Sequence, residues 1–163
     1  MNTLPTSIAI GELEIRFHVE PADTAGSSAV FESIIPRGAH VPPPHSHTDY
    51  DETVHSLAGV CHFTLDGRET ALRPGGSLFV PRGHVHSFVN RGPETARVLV
   101  VVTPGLLGPD YFREVAAIVN AGGPPDRARL AAIMRRHGMV PVAPPNQPEQ
   151  PAMAASVSNG SGL

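Results

Sequence analysis

From Ile8 to Val102 the chain is written in short runs with an apolar residue at every second position, broken by Gly, Pro, Asp and Asn. The stretch ELEIRFHVE puts Leu13, Ile15, Phe17 and Val19 on one face of an extended strand, because strand side chains alternate sides with a period of two. SAVFESIIP, TVHSLAGVCHFTL, GSLFVPRG, HVHSFVN and ARVLVVVTP repeat the pattern at close spacing. Asp66-Gly67 stands between two such runs and predicts a two-residue hairpin turn. Many short strands with turn signals between them predict an all-β sandwich or barrel rather than βαβ units.

After Pro104 the period changes. Tyr111, Phe112, Val115, Ile118 and Val119 fall at helical spacing behind Pro109 and end at Gly122-Gly123. A second helix is expected from Pro125, with Leu130, Ile133, Met134 and His137 on one stripe and Gly138 as the stop. Each stripe needs an apolar surface to cover, either the barrel or a second subunit. Beyond Val140 the composition turns to Pro, Ala, Ser and Gly with little to bury. The expected organisation is therefore a barrel over 1–105, a helical extension over 106–140 packed on the barrel or a partner, and a disordered tail over 141–163.

Composition narrows the function classes. The 163 residues suffice for one core, built from aliphatic side chains since aromatics are only 5% and Trp is absent. A net charge of −3 leaves no basic surplus for nucleic acid. The longest apolar run, Val98 to Val102, is too short to span a bilayer. MNTLPTSIAI lacks the basic and apolar regions of a secretion signal, and Cys61 stands alone, so a cytoplasmic location is expected.

The candidate chemistry lies in HSHTDYDETVHSLAG, residues 45–59. His45 and His47, two apart on a strand, face the same way and can share a metal ion. The run VPPP favours an extended approach to them. Glu52 is an odd number of residues from His47, so a bend or bulge in TDYD must restore its phase. Asp49 and Asp51 compete with it and read as turn acids. A further ligand must come from another strand. In GGSLFVPRGHVHSFVN, His84 and His86, two apart and able to face one way, are the choices.

Together the two stretches resemble the cupin superfamily. His45, His47, Glu52 and Gly59 stand at the spacing of its first motif, with four residues before the Glu. Gly38 lies one residue further from His45 than that pattern has it. Gly75, Pro81, Gly83, His86 and Asn90 match its second motif without a gap. The resemblance implies a jelly-roll barrel, or double-stranded β-helix, and the two short C-terminal helices expected from the periodicity are added to it. It also implies one divalent transition metal (Fe, Mn, Ni, Co or Zn) held by His45, His47, Glu52 and His86.

By alternation Val54 and Ser56 share the face of Glu52, and Phe88 that of His86. With Phe79 they are the expected lining of a small-molecule pocket. Glu52, and His62 if it enters the cavity, are the candidate acid–base groups. His55 should point away from the metal. Tyr50 reads as a partly exposed loop residue, the arginines at 37, 73, 82 and 91 as solvated, and His18, His40 and His137 as unrelated to the site. The implied function is a dioxygenase-like oxidoreductase acting on a small organic molecule. The alternatives are a non-oxidative isomerase or lyase, and a binding protein without turnover. A homodimer is expected, with neither nucleic acid nor membrane as partner.

Overall fold

The structure is a computed structural model and describes residues 5–39 and 41–142. His40, and residues 143–163 of the expected tail, lie outside those residues. Pro141 and Val142, expected in that disordered tail, are ordered: Pro141 ends a strand and the Val142 N–H donates to the Pro44 carbonyl at 2.8 Å. Within them the strands are β1 (Ser7–Ile10), β2 (Leu13–Val19), β3 (Ala29–Ile35), β4 (His45–His47), β5 (Asp51–Ala58), β6 (Cys61–Leu65), β7 (Arg68–Leu72), β8 (Ser77–Val80), β9 (His86–Val89), β10 (Ala96–Thr103) and β11 (Met139–Pro141). The helices are α1 (Pro109–Val119) and α2 (Arg127–Arg136).

Two antiparallel sheets face one another. One has the order β1-β2-β3-β10-β5-β8, the other β11-β4-β9-β6-β7. From β3 to β6 every connection crosses between the sheets, and so do those joining β7 to β8, β8 to β9 and β9 to β10. That winding is the double-stranded β-helix, the expected fold class. Alternation selects its core: Leu13, Ile15 and Phe17 of β2 meet Phe31 and Ile35 of β3 and Val98, Val100 and Val102 of β10, all buried. Val19 falls past a register shift after Phe17 and is only half-buried.

Two turns carry the winding. Asp66 and Gly67 have φ of 47° and 79°, the left-handed pair that a tight hairpin between β6 and β7 requires. Gly59, between β5 and β6, has φ +63°, and a Cβ there would lie 2.6 Å from the Thr95 carbonyl oxygen. Only glycine fits so close an approach of two backbones.

The helical extension closes on its own barrel. Tyr111, Phe112, Ala116 and Ile118 of α1 and Ile133 and Met134 of α2 are buried. The Asn120 side chain ties α1 to β1, accepting from the Gly11 N–H at 2.8 Å and donating to the Ala9 carbonyl at 2.9 Å. The second helix starts later than expected, at Arg127, because Asp126 caps it by accepting from the Arg129 N–H at 3.0 Å. Beyond Gly138 the chain returns as β11 alongside β4, an element that three residues, Met-Val-Pro, do not announce. No helix among the described residues is long and apolar enough to cross a membrane.

Candidate metal centre

His45 and His47 are the ends of β4, and both face inward and are buried. His86 opens β9 directly opposite His45 in the register. The three imidazole rings lie 4.4–5.2 Å apart, centroid to centroid. One ligand nitrogen from each falls within 4.8 Å of the others, so this cluster can hold a metal ion.

Glu52 comes from the opposite sheet. The phase problem across TDYD is resolved by neither a bend nor a bulge within one strand, because the chain leaves one sheet after His47 and enters the other at Asp51. The inward faces of the two sheets then oppose each other. Glu52 Oε2 stands 3.6 Å from His47 Nε2 and 3.9 Å from His86 Nε2. Two donors each about 2.1 Å from one ion are at most about 4.2 Å apart, so these two separations fit a shared ion. The group whose ligand atoms all lie within 4.8 Å of one another is the three histidines without Glu52. Asp51 is turned away. It accepts from the Arg82 backbone N–H at 2.8 Å and from its guanidinium at 2.9 and 3.1 Å, pinning the loop before β9 to the start of β5. Asp51 and Arg82, expected as separate solvated groups, thus pair with each other.

Backbone carbonyls set the ring tautomers. The Nδ1 of His45 is 2.8 Å from the Pro43 carbonyl oxygen, and that of His86 is 3.5 Å from the His84 oxygen. A carbonyl can only accept, so each Nδ1 carries the proton and each Nε2 keeps its lone pair for a metal. Neither nitrogen of His47 has a protein hydrogen-bond partner, although both are buried. Such an orphan is costly unless something occupies it. Burial drives the His47 imidazole down to about 2, helped by His86 and His45, and drives His86 down to about 4. His45 is lowered too, by burial. All three are neutral at pH 7, as metal ligands must be. Burial raises the Glu52 carboxyl to about 7. Buried neutral imidazoles with an orphaned nitrogen and a facing carboxylate suit a metal ion.

The cluster borders a cavity of about 50 Å³, whose other walls are apolar except at Ser33: Ile15, Phe31, Phe63, Phe88, Val98 and Val100 from the barrel, with Leu107, Tyr111, Phe112 and Met139 from the C-terminal extension. Among the described residues no lysine or arginine lines it. Of the expected lining only Phe88 is there. Val54 and Ser56 do face inward, fully buried, but β5 carries them past the cavity. Phe79 does not line it. It pairs with Thr53, one step out of phase with Glu52, and is 55% exposed on the outer face. His62 likewise does not enter, since Cys61 and Phe63 take the inward positions of β6. Its Nδ1 instead meets Glu69 at 3.2 Å on the surface. His55 points outward as expected, 2.8 Å from the Ser77 hydroxyl, and His84 pairs with Asp66 at 2.5 Å in the turn. Tyr50 is no exposed loop residue. It is fully buried and stacks on His47 at 4.3 Å and 26°. No local pattern marks it, and the four residues from the extension were equally hidden. Asn90 supports the site at a distance, donating to the Ile35 and Glu94 carbonyls at 2.7 and 2.8 Å.

Residues 31–102 match the family model of the cupin domain. That span contains all four candidate ligands. Over that span the chain is similar to the cupin domain. Among curated relatives, the chain is 37% identical over 91 residues to the quercetin 2,3-dioxygenase of Bacillus subtilis (strain 168), covering 56% of this chain and 26% of that one. It is 37% identical over 95 residues to germin-like protein 5-1 of Oryza sativa subsp. japonica, covering 52% and 40%. The chain therefore spans well under two thirds of the length of these relatives. Among solved structures, a predicted oxalate decarboxylase from Thermotoga maritima superposes with a TM-score of 0.56 at 22% identity, over 63% of this chain and 94% of that one. That likeness concerns the fold.

Proposed function

We propose that the protein is a metal-dependent enzyme acting on a compact organic molecule, with dioxygenase-like oxidation as its chemistry. The observation that carries this is the cluster of His45, His47 and His86, faced by Glu52, at the wall of an apolar cavity. These four residues would hold the metal. A divalent ion there supplies Lewis acidity towards an oxygen atom of the substrate and, if redox-active, access to dioxygen. The similarity to a quercetin 2,3-dioxygenase supports the oxidative reading.

The protein's own groups define the rest. The Glu52 carboxylate, the only one among the described lining residues, would either stay a metal ligand throughout or act as a base that takes a proton from an enol or phenol hydroxyl as the substrate anion forms. The aromatic walls exclude water, which strengthens each polar contact inside. A water molecule needs roughly 10–15 Å³ of such space, so a 50 Å³ cavity admits only a few non-hydrogen atoms beside an ion. That favours small enolisable carbonyl compounds over multi-ring flavonols.

A non-oxidative isomerase or lyase is the second reading, favoured by the raised Glu52 carboxyl, which suits shuttling a proton near neutral pH. The test is metal analysis of protein purified without added metal, followed by oxygen-electrode assays with small diketones and keto acids. Oxygen uptake that needs Fe, Mn, Ni or Co and disappears in His86→Ala supports the oxygenase. Turnover without oxygen supports the second reading, and tight binding without conversion a binding protein. We also propose a homodimer. The helices bury their stripes within the chain, so the outer face of the six-stranded sheet, with Leu57 and Phe79 exposed, would carry the contact. A monomer in light scattering would dismiss it.

A further inference from the structure

Two of the three clustered imidazoles stand on a strand of only three residues, and what holds that strand is unevenly divided. Towards β9, β4 has one register pair, His45 with His86. Along its other edge β11 pairs with every residue: Met139 with His47, Val140 with Ser46 and Pro141 with His45. The pairing continues past both ends. The Thr48 N–H donates to the Gly138 carbonyl and the Val142 N–H to the Pro44 carbonyl, each at 2.8 Å. The Tyr50 ring that stacks on His47 sends its hydroxyl to the His137 carbonyl at 3.5 Å. Met139 is buried against the cavity. So short a strand has no independent stability, and most of its support comes from the C-terminal segment.

We propose that residues 137–142 form a clasp that assembles the ligand strand, so that docking of this segment and metal binding are coupled. The clasp rests on the metal-site reading above. With β11 detached, β4 keeps the His45–His86 pair and the Gly83 N–H bond to the His47 carbonyl at 2.7 Å, and loses the partner along its whole other edge. Tyr50, resting on His137, positions His47 from the other side. Coupling of this kind is reciprocal: if the opened clasp does not bind metal, metal must hold the clasp shut. At a metal concentration one hundred times its Kd, opening becomes about 100-fold rarer.

Hydrogen exchange on the full-length chain tests this, stripped of metal with chelator and then loaded with Co2+ at one hundred times a Kd measured by calorimetry. Gly138→Ala supplies a loosened clasp, because Gly138 has φ +73° and a Cβ there would press on Thr48 Oγ1 at 3.3 Å and Tyr50 Cε1 at 3.4 Å. The Gly11 amide, bonded to Asn120 at the junction of β1 and α1, is the reference. The expected result is faster exchange at Thr48 and Val142 in metal-free Gly138→Ala with Gly11 unchanged, and a slowing of about 100-fold at both when Co2+ binds. A purely structural role for the clasp would leave those rates indifferent to metal. Bound Co2+ with unchanged exchange at Thr48 and Val142, in wild type and variant alike, overturns the clasp and leaves the metal site standing. Failure of Co2+ to bind, seen in the calorimeter, sinks both.

Discussion

Replacing His47 with Phe separates the cost of building the site from the benefit of filling it. In the metal-free protein both His47 nitrogens are buried without a protein partner. An unsatisfied buried polar group costs about 1–3 kcal/mol. Phe removes both atoms, keeps a ring to stack on Tyr50, and has the adjoining cavity of about 50 Å³ to expand into. Taking the lower end for each nitrogen, the metal-free variant gains about 2 kcal/mol. For a chain of this size that raises Tm by roughly 4–8 °C. Metal reverses the order. At one thousand times Kd the wild type gains about 4 kcal/mol by linkage, while the variant, lacking a ligand, gains little. Thermal melts of both proteins in chelator and in Co2+ read all four values. Phe at position 47 destabilising the metal-free protein would refute the claim that the imidazole is a stored cost, and undiminished stabilisation of the variant by Co2+ would remove His47 from the ligand set.

The remaining predictions use the same structure. Metal-free stability should fall as pH drops below about 6.5, because the unfolded imidazoles take up protons that buried His45, His47 and His86 refuse, at about 1.4 kcal/mol per pH unit for each group. Glu52 works in the opposite sense: its carboxyl, raised to about 7, adds stability below 4.5 that is lost as pH rises to 7. Urea melts between pH 5 and 7 should therefore steepen in their pH dependence in Glu52→Gln, and an unchanged slope would contradict the burial argument. If Glu52 moves the proton, the same variant should lose at least about 100-fold in turnover on whichever substrate is found; near-wild-type rates would exclude that role. Gly59→Ala places a Cβ 2.6 Å from the Thr95 carbonyl oxygen at positive φ and should cost roughly 2–4 kcal/mol in urea unfolding. His62→Ala, on the outer face, should leave the Co2+ affinity seen in calorimetry as it was; a tenfold loss would show that the surface pair with Glu69 reaches the site.

Local rules made the strands, the hairpin at Asp66-Gly67, both helices and the His-x-His pair legible in the chain itself, because period, turn chemistry and spacing act over a few residues. They also sent His55 outward. The same rules failed where a decision belonged to more than one element. Alternation told which residues share a face of β5 but not how far along that face the cavity extends, so Val54 and Ser56 pass it by. Phe79 and His62 took outward positions because each strand's phase is set by its pairing partners. Glu52 reached the histidines because the chain changed sheets. Tyr50, Tyr111, Phe112 and Met139 joined the site only through packing of a C-terminal segment whose own pattern shows merely that it is amphipathic. The sequence alone determined which atoms were available to hold a metal, since ligand chemistry is a property of residue type. Only the tertiary structure decided how those atoms are brought together and what closes over them, because opposing sheets and a returning strand are relations between distant parts of the chain.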